Sequence, residues 1–135
     1  MRQLIYVMLM TIFFNTTIFA AEKPAVYTED KLGVTVTAEQ PQFIIKLKSN
    51  PTTGYSWFLR KYDEKLLKPV KQNFIPGDKK LIGAPGYQEW IFTVKQDAFV
   101  VPQQTIIHFV YARPWAPKEQ ANELIFKVST FAKHN

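Results

Sequence analysis

Apolar and polar residues alternate along most of the chain with a period of two, which is the pattern of β-strands that are buried on one face. The pattern predicts seven strands, at residues 34–37, 43–48, 55–60, 70–74, 89–95, 105–111 and 124–129. In the stretch from Thr105 to Tyr111 both faces are apolar or aromatic. This stretch is therefore expected to be a central strand that is covered on both sides.

Proline and glycine interrupt the apolar runs at nearly every boundary between them. About seven short strands divided by such turn signals predict an all-β sandwich of two packed sheets. Trp57 and Trp90 fall on the apolar faces of their strands and are expected in the core. Residues 62–68 predict one short helical turn. Since no internal repeat or linker divides the chain, residues 21–135 are expected to form a single domain.

Residues 1–20 have the layout of a secretory signal peptide. Arg2 supplies the charged start, residues 4–14 form an apolar stretch, and Ile18-Phe19-Ala20 ends in the small residue expected at a cleavage site. The apolar stretch is shorter than a typical transmembrane helix, and an uncleaved N-terminal anchor is the alternative. The chain has no Cys, which excludes a lipid-attached bacterial signal and a disulfide framework. We therefore expect a protein exported to the periplasm or secreted, with no membrane attachment after cleavage.

Cleavage after Ala20 would leave 115 residues and lower the formal net charge from +6 to +5, because Arg2 is the one charged residue removed. The lysines are scattered through the remaining chain, with no long basic run. This distribution favours a solubilising surface over a nucleic-acid-binding site. The size is that of one ordinary domain, and a monomer is the default expectation.

The sequence offers few side chains that could form an active site. No Cys can act as a nucleophile, His108 lies in the middle of a predicted strand, and His134 is next to the C-terminus. A single His on an apolar strand is usually structural. The Asp and Glu residues show neither the spacing of a catalytic pair nor that of a metal-ligand cluster. We therefore expect a binding protein rather than an enzyme, with no metal and no cofactor.

The loop between predicted strands 43–48 and 55–60, here called the first loop, is built from residues that restrict its conformation. It consists of Asn50, Pro51, Thr52, Thr53 and Gly54, followed by Tyr55. Pro51 fixes its own φ and disfavours helical geometry at Asn50, and the two β-branched threonines have restricted χ1. Asn50 can bond the backbone two residues on, and Gly54 can adopt a positive φ. Such a loop loses little entropy on binding, which makes it a candidate recognition wedge.

Two further loops carry residues that suit a binding surface. The second loop consists of Gly83, Ala84, Pro85 and Gly86. Its glycines would let a partner approach the main chain closely, although the same residues also suit a plain turn. The third loop consists of Arg113, Pro114 and Trp115. Trp and Arg are common in binding hot spots, but Trp115 could equally fold back over the end of the sandwich. If successive strands run up and down, all three loops lie at one end.

Together, the three loops resemble in order and spacing those of the chagasin-like inhibitors of papain-family cysteine peptidases. The resemblance covers essentially all of residues 21–135, with close matches in the first and third loops and a looser match in the second, where Pro85 replaces a small residue. It implies an immunoglobulin-like β-sandwich that inhibits reversibly and competitively. By this resemblance, the first loop would enter the cleft of a cathepsin L-like enzyme, with Thr52 and Thr53 making the central contacts. The other two loops would flank it, with Trp115 against an apolar or aromatic surface.

A secreted carbohydrate-binding or adhesive module is the alternative, because β-sandwiches host many functions. Exposed Trp115 and Tyr87 side chains would suit stacking against a sugar ring. A sugar-binding surface would have no need of the two threonines of the first loop, and this difference separates the two interpretations.

Overall fold

The computed structural model describes residues 22–132, which form eight strands and two short 3-10 helices. The strands are β1 (Ala25–Tyr27), β2 (Gly33–Val36), β3 (Gln42–Ser49), β4 (Ser56–Lys61), β5 (Leu67–Ile75), β6 (Gly86–Val94), β7 (Gln104–Ala112) and β8 (Asn122–Thr130). The 3-10 helices span Pro51–Thr53 and Gln96–Phe99. The predicted signal peptide and His134 lie outside the described residues. Between residues 22 and 132, no helix has the length and apolar character needed to cross a membrane.

The strands form two sheets with the orders β1-β3-β6-β5 and β2-β8-β7-β4. When β1 and β2 together are taken as the first strand, this is the order of an immunoglobulin-type sandwich. Neighbouring strands are antiparallel except that β1 runs parallel to β3 and β2 runs parallel to β8. The predicted all-β sandwich is confirmed. The sequence pattern missed β1, because this strand has three residues and only Tyr27 is buried.

The core lies between the two sheets and is built from the side chains that alternate inward along each strand. The buried residues of β3, β6 and β8 follow the predicted apolar faces and include Phe43, Ile45, Leu47, Phe92, Val94, Phe126 and Val128. Trp57 and Trp90 are buried as well, as the sequence predicts. The ring of Phe109 on β7 lies 4.7 Å from that of Trp90 between centroids, which joins the two sheets at the centre of the core.

Two details differ from the pattern-based expectation. β7 is central in its sheet, but Ile106 on its outer face is 38% exposed. One face is therefore covered by the opposite sheet and the other is partly open, so the prediction of cover on both sides is wrong. The helical turn expected in residues 62–68 is a single turn in which the Asp63 carbonyl accepts hydrogen bonds from the N–H groups of Leu66 and Leu67. β5 begins directly at Leu67 and extends beyond the predicted strand at both ends.

The topology brings three connections to the same end of the sandwich. β3, β5 and β7 finish at this end, and β4, β6 and β8 start there, because the paired strands are antiparallel. The β3–β4 connection contains the first loop, the β5–β6 connection leads into the second, and the β7–β8 connection contains the third. The expectation that the three loops are neighbours therefore agrees with the fold.

Candidate functional site

The first loop is held in one conformation by its own hydrogen bonds. Pro51–Thr53 form a 3-10 turn that begins after Asn50, in an extended conformation, and ends at Gly54 with φ 78°. The Asn50 side-chain oxygen accepts hydrogen bonds from the N–H and the hydroxyl of Thr52. The Thr53 hydroxyl donates to the Asn50 carbonyl at 2.7 Å. The conformations expected for Asn50 and Gly54 are thus present, and all three residues of the turn are exposed.

Aromatic and cationic side chains support this loop from beneath. The hydroxyl of Tyr111, on β7, accepts a hydrogen bond from the N–H of Asn50 at 3.2 Å. The Tyr111 ring stacks on Tyr55 with 5.4 Å between centroids. The guanidinium carbon of Arg113 lies 4.5 Å from the centre of the Tyr55 ring, and its Nε donates to the carbonyl of Thr53 at 3.4 Å. Arg113 is therefore a structural link between the third loop and the first.

Trp115 lies against the first loop and is 72% exposed. A Cβ atom added at Gly54 would lie 2.6 Å from Cη2 of the Trp115 ring, so the indole covers the face of this glycine. A turn closed by the hydrogen bond from the N–H of Ala116 to the carbonyl of Arg113 carries Pro114 and Trp115 outward. Trp115 is thus not folded back into the end of the sandwich but presents most of its surface to solvent.

The second loop has one exposed glycine and one buried glycine. Gly83 has φ 78°, and a Cβ there would meet no atom within 4 Å. Ala84 is half-buried and Pro85 is exposed. Gly86 is buried as the first residue of β6, and a Cβ there would lie 2.7 Å from the ring of Phe74. Gly86 is therefore required for packing against β5, whereas close approach of a partner to the main chain is possible at Gly83.

Sequence reasoning missed two apolar side chains beside the second loop. Leu81 is largely exposed, and Ile82 is fully exposed. Two adjacent exposed aliphatic side chains beside a candidate binding loop suit apolar contact with a partner. Their signal in the sequence is a pair of large apolar residues in a segment that otherwise has loop composition, between Lys80 and Gly83. With Trp115, they give this end of the sandwich an apolar character.

The other side chains considered for catalysis or ligand binding lie outside the three loops and are in contact with neighbouring residues. His108 Nε2 lies 3.0 Å from an Oε2 of Glu123 on the neighbouring strand. The ring of Tyr87, the second aromatic residue considered for sugar stacking, has the ammonium of Lys46 at 4.6 Å from its centre. Among residues 22–132, no three His, Asp or Glu side chains are grouped so that they could hold a metal ion. The three loops are therefore the strongest candidate site.

Family comparison covers most of the chain. Residues 37–130 match the model of the family described as Chagasin family peptidase inhibitor I42, and this range is well over half of the 135 residues. The chain belongs to the chagasin family. The resemblance inferred from the three loops is confirmed, and membership places this chagasin-family protein among peptidase inhibitors rather than enzymes.

Individual relatives agree with this assignment. Chagasin of Trypanosoma cruzi is 29% identical over 96 residues, which cover 67% of this chain and 83% of chagasin. The crystal structure of the cysteine protease inhibitor EhICP2 from Entamoeba histolytica has a TM-score of 0.62 at 23% identity and covers 78% of this chain and 94% of its own. The solution structure of amebosin has a TM-score of 0.57 at 26% identity, with 83% of this chain and 100% of amebosin covered. The matched range of this chagasin-family protein includes all three loops.

Proposed function

We propose that this protein is a reversible, competitive inhibitor of papain-like cysteine peptidases. The first loop enters the active-site cleft, and the second and third loops contact the enzyme on either side of it. The observation that carries this proposal is the convergence, at one end of a chagasin-family sandwich, of an internally hydrogen-bonded loop and the exposed side chains of Ile82 and Trp115.

The rigidity of the first loop favours tight binding. A flexible loop loses conformational freedom when it binds, and each immobilised side chain lowers the affinity. In this loop Asn50, Thr52 and Thr53 already make the hydrogen bonds that define the turn. Most of the ordering cost is thus met during folding, and an interface of standard size, about 1,600 Å² in total, can reach high affinity.

The same conformation explains why the loop would not be cut. A peptidase cleaves a segment that lies extended in the cleft with its carbonyl carbon aligned to the nucleophile. Residues Pro51–Thr53 are in a 3-10 turn, and Gly54 has φ 78°, so none of this segment is extended. The loop can therefore fill the cleft without presenting a peptide bond in the reactive geometry. Inhibition needs no covalent step and no cofactor.

The flanking loops contribute apolar contact on both sides of the first loop. Trp115 presents an exposed indole beside Gly54, and Leu81 and Ile82 present aliphatic surface next to Gly83. Large side chains at the centre of an interface dominate binding energy when they become fully desolvated. We propose that Trp115 packs on an apolar or aromatic surface of the enzyme and that cathepsin L-like peptidases are the preferred class.

Titration of the purified protein against papain and a cathepsin L-type enzyme, with a fluorogenic substrate, tests the proposal directly. We expect a competitive inhibition constant below micromolar, recovery of activity on dilution, and an inhibitor that stays uncut in mass spectrometry. Absence of inhibition of both enzymes at micromolar concentration would contradict the proposal. Binding to a glycan array in that case would favour the carbohydrate-binding alternative.

A substitution at the tip of the loop tests the wedge itself. Thr53 is exposed, so Thr53→Arg should leave the unfolding temperature within a few degrees of that of the wild type while abolishing inhibition, because the larger charged side chain no longer fits the cleft. Thr53→Ser is the matched control, since it keeps the hydroxyl that bonds Asn50. Deletion of Pro51 and Thr52 should likewise abolish inhibition. Unchanged inhibition by a folded Thr53→Arg variant would eliminate the wedge model.

We also propose that residues 1–20 direct export and that the protein functions as a monomer in the periplasm or outside the cell. The basis is the composition of the N-terminal segment described above. Mass spectrometry of the protein recovered from the periplasm and the medium should give a chain beginning at residue 21, and size-exclusion chromatography should give the mass of one copy. A chain retained in the membrane with Met1 still present would support the uncleaved anchor.

A further inference from the structure

A buried polar side chain joins the two sheets beneath the first loop. Gln88 of β6 is at an inward position, between Gly86 and Trp90, where the alternating pattern otherwise places apolar or small residues. Its amide makes two hydrogen bonds to the backbone of Trp57 on β4. The side-chain oxygen accepts from the Trp57 N–H at 2.7 Å, and the side-chain nitrogen donates to the Trp57 carbonyl at 3.2 Å. β4 is an edge strand, so the Gln88 amide bonds it where a neighbouring strand would.

Trp57 makes a third hydrogen bond to the sheet that contains Gln88. Its indole N–H donates to the carbonyl of Lys48 on β3 at 2.8 Å. The first loop follows β3 and leads into β4. Lys48 is two residues before the loop and Trp57 is three residues after it, so the indole bond links the two sides of its base. Gln88 is also two residues after Gly86, where the second loop joins β6. The Gln88–Trp57 contact therefore connects the bases of the first and second loops.

A groove of about 680 Å³ lies between the edge strands β4 and β5, and its lining includes Gln88 together with Leu59, Val70 and Trp90. Apolar contacts resist separation of two sheets but do not fix their relative position, because the hydrophobic effect is non-directional. A pair of hydrogen bonds to the N–H and the carbonyl of one residue fixes both distance and orientation. Gln88 thus supplies directional restraint at the point where the first loop begins its path into β4.

We infer that Gln88 is a positioning residue that aligns the first loop with the second loop for peptidase binding. This inference rests on the proposed function. Gln88 is buried and lies below the loops, so it acts through Trp57 rather than by contact with the enzyme. If loss of the Gln88 side chain lowers the fraction of molecules whose loops are aligned, the apparent inhibition constant rises in inverse proportion to that fraction.

Two substitutions at this position test the inference. Gln88→Leu removes both hydrogen bonds and leaves the Trp57 N–H and carbonyl unpaired, and we expect the inhibition constant to rise at least about tenfold. Gln88→Glu keeps an acceptor for the N–H but places a carboxylate oxygen against the Trp57 carbonyl. Protonation would restore the donor. The loss for Gln88→Glu, relative to the wild type at the same pH, should therefore shrink as the pH is lowered within the active range of the peptidase.

Two controls separate positioning from general destabilisation. Gln42→Leu makes the same chemical change at the opposite end of β3, where the amide bonds the hydroxyl of Thr93. Val36→Ala creates a small cavity in the core at that same distant end. Both variants should keep the wild-type inhibition constant, even where their unfolding temperature falls as far as that of Gln88→Leu.

Hydrogen exchange gives a readout that needs no peptidase. The N–H groups of Thr53 and Gly54 are bonded within the first loop, and their exchange should accelerate in Gln88→Leu but not in Gln42→Leu. A folded Gln88→Leu variant with wild-type inhibition would overturn the inference, and so would unchanged exchange of these two amides. If the wild type inhibits no papain-like enzyme, the proposed function fails, and the exchange data alone decide whether Gln88 positions the loop.

Discussion

Gly54 lies in the first loop and packs against Trp115 of the third loop, so its replacement by Ala tests both loops. At φ 78°, the backbone conformation of an L-residue with a Cβ is about 1–2 kcal/mol less favourable than that of glycine. The added carbon would also lie 2.6 Å from Trp115 Cη2, whereas carbon atoms in favourable contact are about 3.5–4.0 Å apart. The indole must therefore move by about 1 Å or more. Because Trp115 is mostly exposed, this movement affects the geometry of the binding surface more than the stability of the fold.

Gly83 provides a matched control for the effect on stability within the same molecule. It has the same φ of 78°, but a Cβ at this position meets no atom within 4 Å. Gly83→Ala should therefore lower the free energy of unfolding by about 1–2 kcal/mol through backbone strain alone. Gly54→Ala should lower it by a similar amount. In addition, it should weaken peptidase binding by about 2 kcal/mol, roughly thirtyfold, since it displaces a side chain with the character of a hot spot.

The assay is a double-mutant cycle in the inhibition constant, with the unfolding temperature followed in parallel. Without the indole there is nothing for the new methyl group to displace, so Gly54→Ala should cost less than about 0.5 kcal/mol of binding in a Trp115→Ala background. Additive losses in the double variant would refute the argument that Gly54 acts through Trp115.

Two further substitutions test the flanking loops. Trp115→Ala should weaken binding by about 2 kcal/mol or more while leaving the unfolding temperature nearly unchanged, and a loss of binding below about 0.5 kcal/mol would reduce Trp115 to a packing role. Ile82→Ser should leave the unfolding temperature unchanged, because the side chain is fully exposed. It should raise the inhibition constant several-fold if Ile82 becomes buried against the enzyme. The control is Val100→Ser, which changes an exposed aliphatic residue away from the three loops and should not affect inhibition.

The fold follows closely from the alternation in the sequence. A shift of one residue in β3 would turn the side chains of Phe43, Ile45 and Leu47 to solvent. The alternation therefore determines which face of β3 packs against the core, and all three side chains are buried there. The local geometry of the first loop also follows from its residues, since Pro51 and Gly54 each restrict or permit particular backbone angles. Both predictions depend on interactions within a few residues.

Contacts between distant residues could not be predicted in this way. Gln88 stands out in the sequence as a polar residue at an inward position, but its partner, Trp57, is 31 residues away and on the other sheet. The contact of Trp115 with Gly54 likewise depends on how the third loop turns. The sequence pattern also placed Gly86 in a loop open to a partner, whereas it is buried against Phe74. In each case the decisive contact joins strands or loops that are separate in the sequence.

β1 and β2, which together form the first strand of the sandwich, lie in different sheets. This arrangement limits how many residues can be removed from the N-terminus. β1 covers the side of β3, and β2 covers the side of β8, while the Tyr27 hydroxyl bonds both the N–H and the carbonyl of Thr35 to hold the crossing together. A single short segment thus shields the unpaired backbone groups of two long strands. A protease that removed residues 22–36 would expose both strands to pairing with other copies and promote aggregation. The proposed cleavage after Ala20 would leave this segment intact, whereas trimming past Tyr27 would remove β1 and expose the edge of β3.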